Sequence, residues 1–309
     1  MSVAIVLEQM IIILILILTG MFLYHKKMLS ETTSGQISGL IVNVTNPALL
    51  ICSAFDDSPK LSLHELLVGL CVFLLSYAVL ILFAYLIPLM LRIPEHARYS
   101  YRMLTIFGNV GFIGIPLASA VLGSGSLIFV SLSNLIYNVL LYTYGMGVLK
   151  KAAKSDGSES FLNKLINTGT ISALLTIVFY LADFNIPTII SSTLTYAGRA
   201  TTFLSMLVLG VSVAQMAPKD IFTHPKLYAY TIIRQILLPI GFTLLLHLFI
   251  KEALIVNTAA LMLSVPAGNM SLMLSKQFHI DESTISQGII LTTVLSLVTI
   301  PIVTLYICR

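Results

Sequence analysis

Ten stretches of this chain are long and apolar enough to cross a bilayer as helices, and they constrain the fold more than any motif does. A helical span needs about 20 mostly apolar residues. The stretches cover roughly residues 3–24, 34–55, 65–91, 98–122, 126–149, 161–181, 199–216, 227–249, 253–276 and 284–307. Lipid offers the backbone no hydrogen-bond partner, so runs of this length must close their own bonds as helices. Charged residues make up 10% of the 309, against about 25% in a soluble domain. The expected fold class is therefore an all-α polytopic membrane protein.

The first apolar run, residues 10–18, has no Lys or Arg before it and no small-residue cleavage site before Tyr24. It reads as a retained first helix, not a signal peptide. The approach to the seventh stretch, "PTIISSTLTYAG" at 187–198, is rich in Ser and Thr and reads as lying along the membrane interface. Cys52, Cys71 and Cys308 have no CxxC spacing and read as small hydrophobes.

Basic residues orient the bundle, because cytoplasmic loops carry the excess of Lys and Arg. Twelve of the seventeen lie in the odd-to-even connections, among them Lys26, Lys27, Arg92, Lys150, Lys151 and Lys226. Only Lys60, Lys251 and Arg309 lie on the opposite side. The bias puts both termini outside; the chain is expected in the plasma membrane. The net charge of +4 forms no patch with interleaved aromatics, so no nucleic-acid partner is implied.

The longest polar connection, "KKAAKSDGSES" at 150–160, reads as a cytoplasmic linker. It divides the chain into residues 1–149 and 161–309, five stretches each. Five is odd, so related halves would sit upside down relative to one another, a common transporter plan with the substrate site at interrupted midplane helices. Matching interruptions are present. Stretch four carries "GNVGFIGIP" (108–116) and stretch nine carries "SVPAGNMS" (264–271). Both place Gly-Asn close to a proline at mid-membrane depth.

Proline suits the first turn of a helix, so Pro116 is expected to begin the outer half of stretch four. The half that follows Pro266, Ala267 and Gly268 is expected to start near the centre from the other direction. Helix N-termini carry about half a positive charge and free N–H donors. With the amides of Asn109 and Asn269, and the residues Gly108, Gly111 and Ile115 around them, they suit a small organic anion.

No carboxylate falls near the middle of a span; Glu8, Glu65 and Glu252 lie near ends. That disfavours a carboxylate proton relay. Arg234 lies about two turns into stretch eight. It reads either as an attractor for the anion or as a snorkelling chain or donor to carbonyls freed by the breaks. Arg199 reads as an interface anchor. Asn134 and Asn138 sit at helical spacing and read as cavity-lining or as bonding across helices. Asn43, Asn46 and Pro47 read as a bent scaffold helix. There is no HExxH, no intramembrane Asp pair and no Ser–His partnership, so an enzyme is not expected.

"FGNVGFIGIPL" (107–117), "LSVPAGNMSLMLSKQF" (263–278) and "ISQGIILTTVLSLVTIPIVTLY" (285–306) resemble the auxin efflux carrier family. It includes plant PIN-type carriers and bacterial malate or malonate permeases. The resemblance implies ten helices in two inverted five-helix repeats, similar to bile-acid and sodium–proton carriers. Helices 1, 2, 6 and 7 would be a scaffold, with a possible homodimer through it, and helices 3–5 and 8–10 the moving transport unit. Helices four and nine would cross at Pro116 and Pro266, with Asn109 helping to bind a carboxylate; Asn269 rests on the physical argument alone. Phe203 stands where many members place a proline. The implied function is a secondary or potential-driven carrier of a small organic anion, such as a dicarboxylate or auxin-like carboxylate, with no cofactor. A sodium-coupled symporter, or a channel or sensor using the same site, stays open.

Overall fold

The structure is a computed structural model that describes residues 3–55, 61–153, 166–182, 186–215, 225–278 and 283–307. Among them the long elements are all helical. In chain order they are α1 (Val3–His25), α2 (Glu31–Ser53) and α3 (Leu63–Met90). Then come α4 (Arg98–Ile106), α5 (Val110–Leu122), α6 (Ser126–Ala153), α7 (Thr168–Leu181) and α8 (Thr188–Ala214). The last four are α9 (Pro225–His247), α10 (Ala253–Ser264), α11 (Asn269–Gln277) and α12 (Ser283–Ile307). Six of them, α2, α3, α6, α8, α9 and α12, are each long and apolar enough to cross a membrane. The apolar parts of α1, α5, α7 and α10 are shorter.

Large apolar side chains stand exposed along these helices, including Ile15, Phe22, Leu74, Leu82, Leu174 and Leu244. A soluble monomer rarely exposes apolar surface on this scale, whereas hydrocarbon solvates it. The interior packs small residues where backbones meet. A Cβ on Gly210 would lie 2.1 Å from the carbonyl oxygen of Ile17, and one on Gly20 would lie 2.4 Å from that of Leu207. Glycine at both positions lets α1 and α8 touch backbone to backbone.

Side chains cap the first N–H groups of the spans α3 and α7. Ser62 and Glu65 form a reciprocal capping box at the start of α3: Ser62 Oγ accepts from Glu65 N, and Glu65 Oε2 accepts from Ser62 N. Asn167 Oδ1 accepts from Thr170 N at the start of α7.

Wide, five-residue turns interrupt three of the described helices, at Ile41–Thr45, Leu141–Gly145 and Ile233–Leu237, and one begins α5, at Val110–Gly114. After three of them the α-helix resumes with a proline in its first turn: Pro47, Pro116 and Pro239. A proline inside a helix lacks its N–H and its ring collides with the carbonyl four residues back. Widening the preceding turn relieves that collision, and such turns gather at functional sites. The bend expected at Asn43, Asn46 and Pro47 is one of them.

Two boundaries differ from the sequence reading. The Ser/Thr-rich run at 187–198 does not lie apart from its span; it is the first part of the continuous 27-residue helix α8. Its hydroxyls bond within the helix, as Ser191 to Thr188 O and Thr195 to Ser191 O, so they do not need interfacial water. The helix also runs unbroken past Phe203. Second, residues 150–153 of the expected linker are the last turn of α6, while 154–160 lie outside the described residues.

Candidate functional site

The two interrupted stretches meet. Between α4 and α5 the chain leaves helical geometry at Phe107–Asn109, and between α10 and α11 at Val265–Gly268. Gly108 and Ala267 pair as a single antiparallel bridge. Asn109 N donates to Pro266 O at 2.7 Å, and Gly268 N donates to Phe107 O at 2.8 Å. Backbone groups that lost their helical partners are thus satisfied by the opposite break.

The close approach is set by glycine on both sides, most strictly at Gly268, where the neighbour is backbone. A Cβ on Gly268 would lie 2.8 Å from Gly108 O, and a Cβ on Gly108 would lie 2.8 Å from Val265 Cγ2. Thr292 of α12 adds a further support, its Oγ1 accepting from Ala267 N at 3.2 Å. Gln235 of α9, fully buried, donates to Thr292 O at 3.0 Å and accepts from Thr299 Oγ1 at 3.2 Å.

Four helix ends converge here, and their electrostatics differ. α4 and α10 arrive with C-termini, whose last carbonyls are unpaired and carry the negative end of the dipole. Arg234 lies within the wide turn of α9 and is 2% exposed. Its Nε donates to Thr105 O at 2.7 Å and its Nη1 to Leu263 O, so one guanidinium caps both C-termini. A void of about 10 Å³ beside it, bordered by Ser76, Tyr77, Ser133 and Gly108, has room for one water and for no carboxylate. Of the two roles left open for Arg234, the geometry matches the donor to freed carbonyls.

α5 and α11 leave with N-termini, whose positive ends have no counter-charge among the described residues. Asn109 is the N-cap of α5: its Oδ1 accepts from Phe112 N at 3.2 Å, and its amide N–H groups donate to no other described residue. The winding of this half starts at Val110 and not at Pro116, which lies in the first regular turn after the wide one. Ile115, 2% exposed, joins the two. Gly111 O accepts from Asn46 Nδ2 of α2 at 2.9 Å, linking α2 to the break. Asn269 is the first residue of α11 and is exposed.

Asn134 and Asn138 face another helix. Asn134 Nδ2 donates to Gly169 O of α7 at 3.3 Å, and Asn138 Nδ2 to Asn134 O at 2.9 Å. The structure therefore brings Gly108, Asn109, Pro266, Ala267 and Gly268 into one pairing, with Arg234 against it, and ties Asn134 to α7, while Asn138 bonds back to Asn134 within α6. Thr292, Gln235 and the Asn46–Gly111 contact were missed from sequence. A lone Thr or Gln in an apolar helix carries no local signal of a partner on another helix.

This arrangement sits in a chain whose relatives point the same way. The family model described as "Membrane transport protein" matches residues 5–167 and 157–304. The chain belongs to that family. The match bears out the resemblance to the auxin efflux carriers. It is also 27% identical over 300 residues to an uncharacterized transporter of Methanocaldococcus jannaschii, covering 95% of this chain and 96% of that one. A second uncharacterized transporter, from Methanothermobacter thermautotrophicus, is 22% identical over 297 residues, covering 96% of each. A multi-pass membrane protein of the membrane transport protein family is what the fold and these matches together show.

Proposed function

We propose that this member of the family is a secondary carrier for a small organic anion, a dicarboxylate or auxin-like carboxylate, working by alternating access. One observation carries the reading. At the paired breaks Arg234 offsets the two negative helix ends, while the positive N-termini of α5 and α11 keep theirs. The remaining field favours an anion, and the uncommitted amide of Asn109 supplies donors for it.

In this reading the ten spans form two inverted repeats. α4–α5 and α10–α11 are the crossing fourth and ninth spans, carried by a transport unit that moves against the scaffold of spans one, two, six and seven. The Asn46–Gly111 bond lies on that moving boundary. Both termini face outward in the plasma membrane, and two copies associate through their scaffolds. A negative-inside potential assists export of an anion by about 2.3 kcal/mol per charge per 100 mV, so export needs no coupling ion.

The test is exchange in proteoliposomes loaded with labelled malate, malonate or an indole carboxylate. Saturable exchange of one of them, lost in Asn109→Ala, is the expected result. Full exchange by Asn109→Ala removes the site, and unitary currents in place of exchange make the protein a channel.

A further inference from the structure

A cavity of about 550 Å³ opens between α2, the α5–α6 turn and the start of α8. Its walls include Leu49 and Ser53 of α2, Ser119 and Ser124 on either side of the α5–α6 turn, and Thr195 and Arg199 of α8. The hydroxyls of Ser119 and Ser124 donate to no other described residue, and Arg199 has no carboxylate partner among the described residues. Leu49 is three residues from Asn46, about 5 Å along the helix. The inner end of the cavity thus lies one turn from the Asn46–Gly111 contact. Its mouth lies at the end of the bundle that the Lys and Arg count puts outside.

From this we infer that the cavity is a water-filled outer antechamber for the anion, and that Arg199 is the cation that draws carboxylates into it. The inference rests on the carrier reading for what happens next, but not for the field itself. Arg199 is the only charged side chain on the described walls, whose other polar side chains are mostly hydroxyls, beside Leu49, Phe55 and Leu127. A carboxylate entering here can keep most of its hydration while hydroxyls exchange for water, the condition for fast entry and exit. Arg199 therefore acts on access and apparent affinity from outside, where the N-termini at the breaks act on binding at the midplane. This replaces the interface-anchor reading of Arg199 with a role in the permeation path. Asp56 and Asp57 follow Phe55 in sequence and lie outside the described residues; the measurement below includes whatever field they add.

The field can be read without a substrate. Thr195 is four residues from Arg199, about 6 Å along α8. Thr195→Cys is introduced after Cys52, Cys71 and Cys308 are replaced by Ala, and the purified protein is reacted with anionic and cationic methanethiosulfonates. A unit charge at that distance in water changes each rate by about threefold, in opposite senses, or about tenfold in their ratio. Arg199→Gln is expected to lower the anion-to-cation rate ratio by about that factor at low ionic strength. Arg199→Lys is expected to restore it, and 1 M salt to erase the difference. An unchanged ratio in Arg199→Gln, or an introduced thiol that neither reagent reaches, overturns the proposal. Because no transport is measured, this failure is distinct from failure of exchange in the Asn109 experiment.

Discussion

Asn109 donates its backbone N–H to the carbonyl of Pro266 at 2.7 Å, so a residue in the first half of the chain closes a bond broken in the second. The two breaks are one structure. Each exposes backbone groups that the other break satisfies together with Arg234 and Thr292, so neither half could keep its interruption alone. The expectations below follow from that interdependence.

Gly268→Ala is expected to cost more than Gly108→Ala. The new methyl at 268 meets Gly108 O at 2.8 Å, a backbone atom already fixed by the pairing; at 108 it meets a Val265 methyl that can turn aside. Overpacking of this kind costs about 1–3 kcal/mol. Thermal unfolding of the purified variants checks the order, and equal midpoints would speak against the pairing.

Arg234 holds two helix ends with a forked donor set, and lysine cannot reproduce the fork. Both Arg234→Lys and Arg234→Gln are expected to lower the unfolding midpoint, since each buried carbonyl left without its donor costs about 1–3 kcal/mol. Normal stability in Arg234→Lys, with only the apparent affinity for substrate changed, would instead make Arg234 a substrate ligand.

Thr292→Val leaves Ala267 N–H without its acceptor at nearly constant shape, and orphaning a buried donor costs about 1–3 kcal/mol. Thr292→Ser keeps the hydroxyl and is expected to recover most of the loss. Paired thermal unfolding and exchange measurements on the two variants check this; a Ser variant as impaired as the Val variant would point to packing.

Much of this was legible in the sequence because its strongest signals are local. The apolar runs gave span boundaries within a few residues at α1, α2, α3, α9 and α12, and the Gly-Asn-Pro clusters marked both breaks. The errors fall where a residue's meaning depends on its partner. Pro116 was expected to start a half-helix that starts at Val110, because proline fits a first turn but cannot announce the wide turn before it. The hydroxyls of 187–198 suggested an interface because a list of residues does not show them bonding back into their own helix. Arg234 read two ways from sequence, since only the fold sets Thr105 and Leu263 within one guanidinium's reach. The antechamber proposed for Arg199 could not be read from sequence, because a cavity between three helices is not a property of any one of them.

The most direct test is calorimetric titration of the carboxylate that exchanges best into the detergent-purified protein, comparing the parent, Asn109→Ala and the control Phe203→Leu on an exposed face of α8. If the paired breaks hold the anion, Asn109→Ala weakens binding at least tenfold, about 1.4 kcal/mol, while Phe203→Leu stays within about twofold. Equal affinity in the parent and Asn109→Ala would place the anion elsewhere and contradict the account.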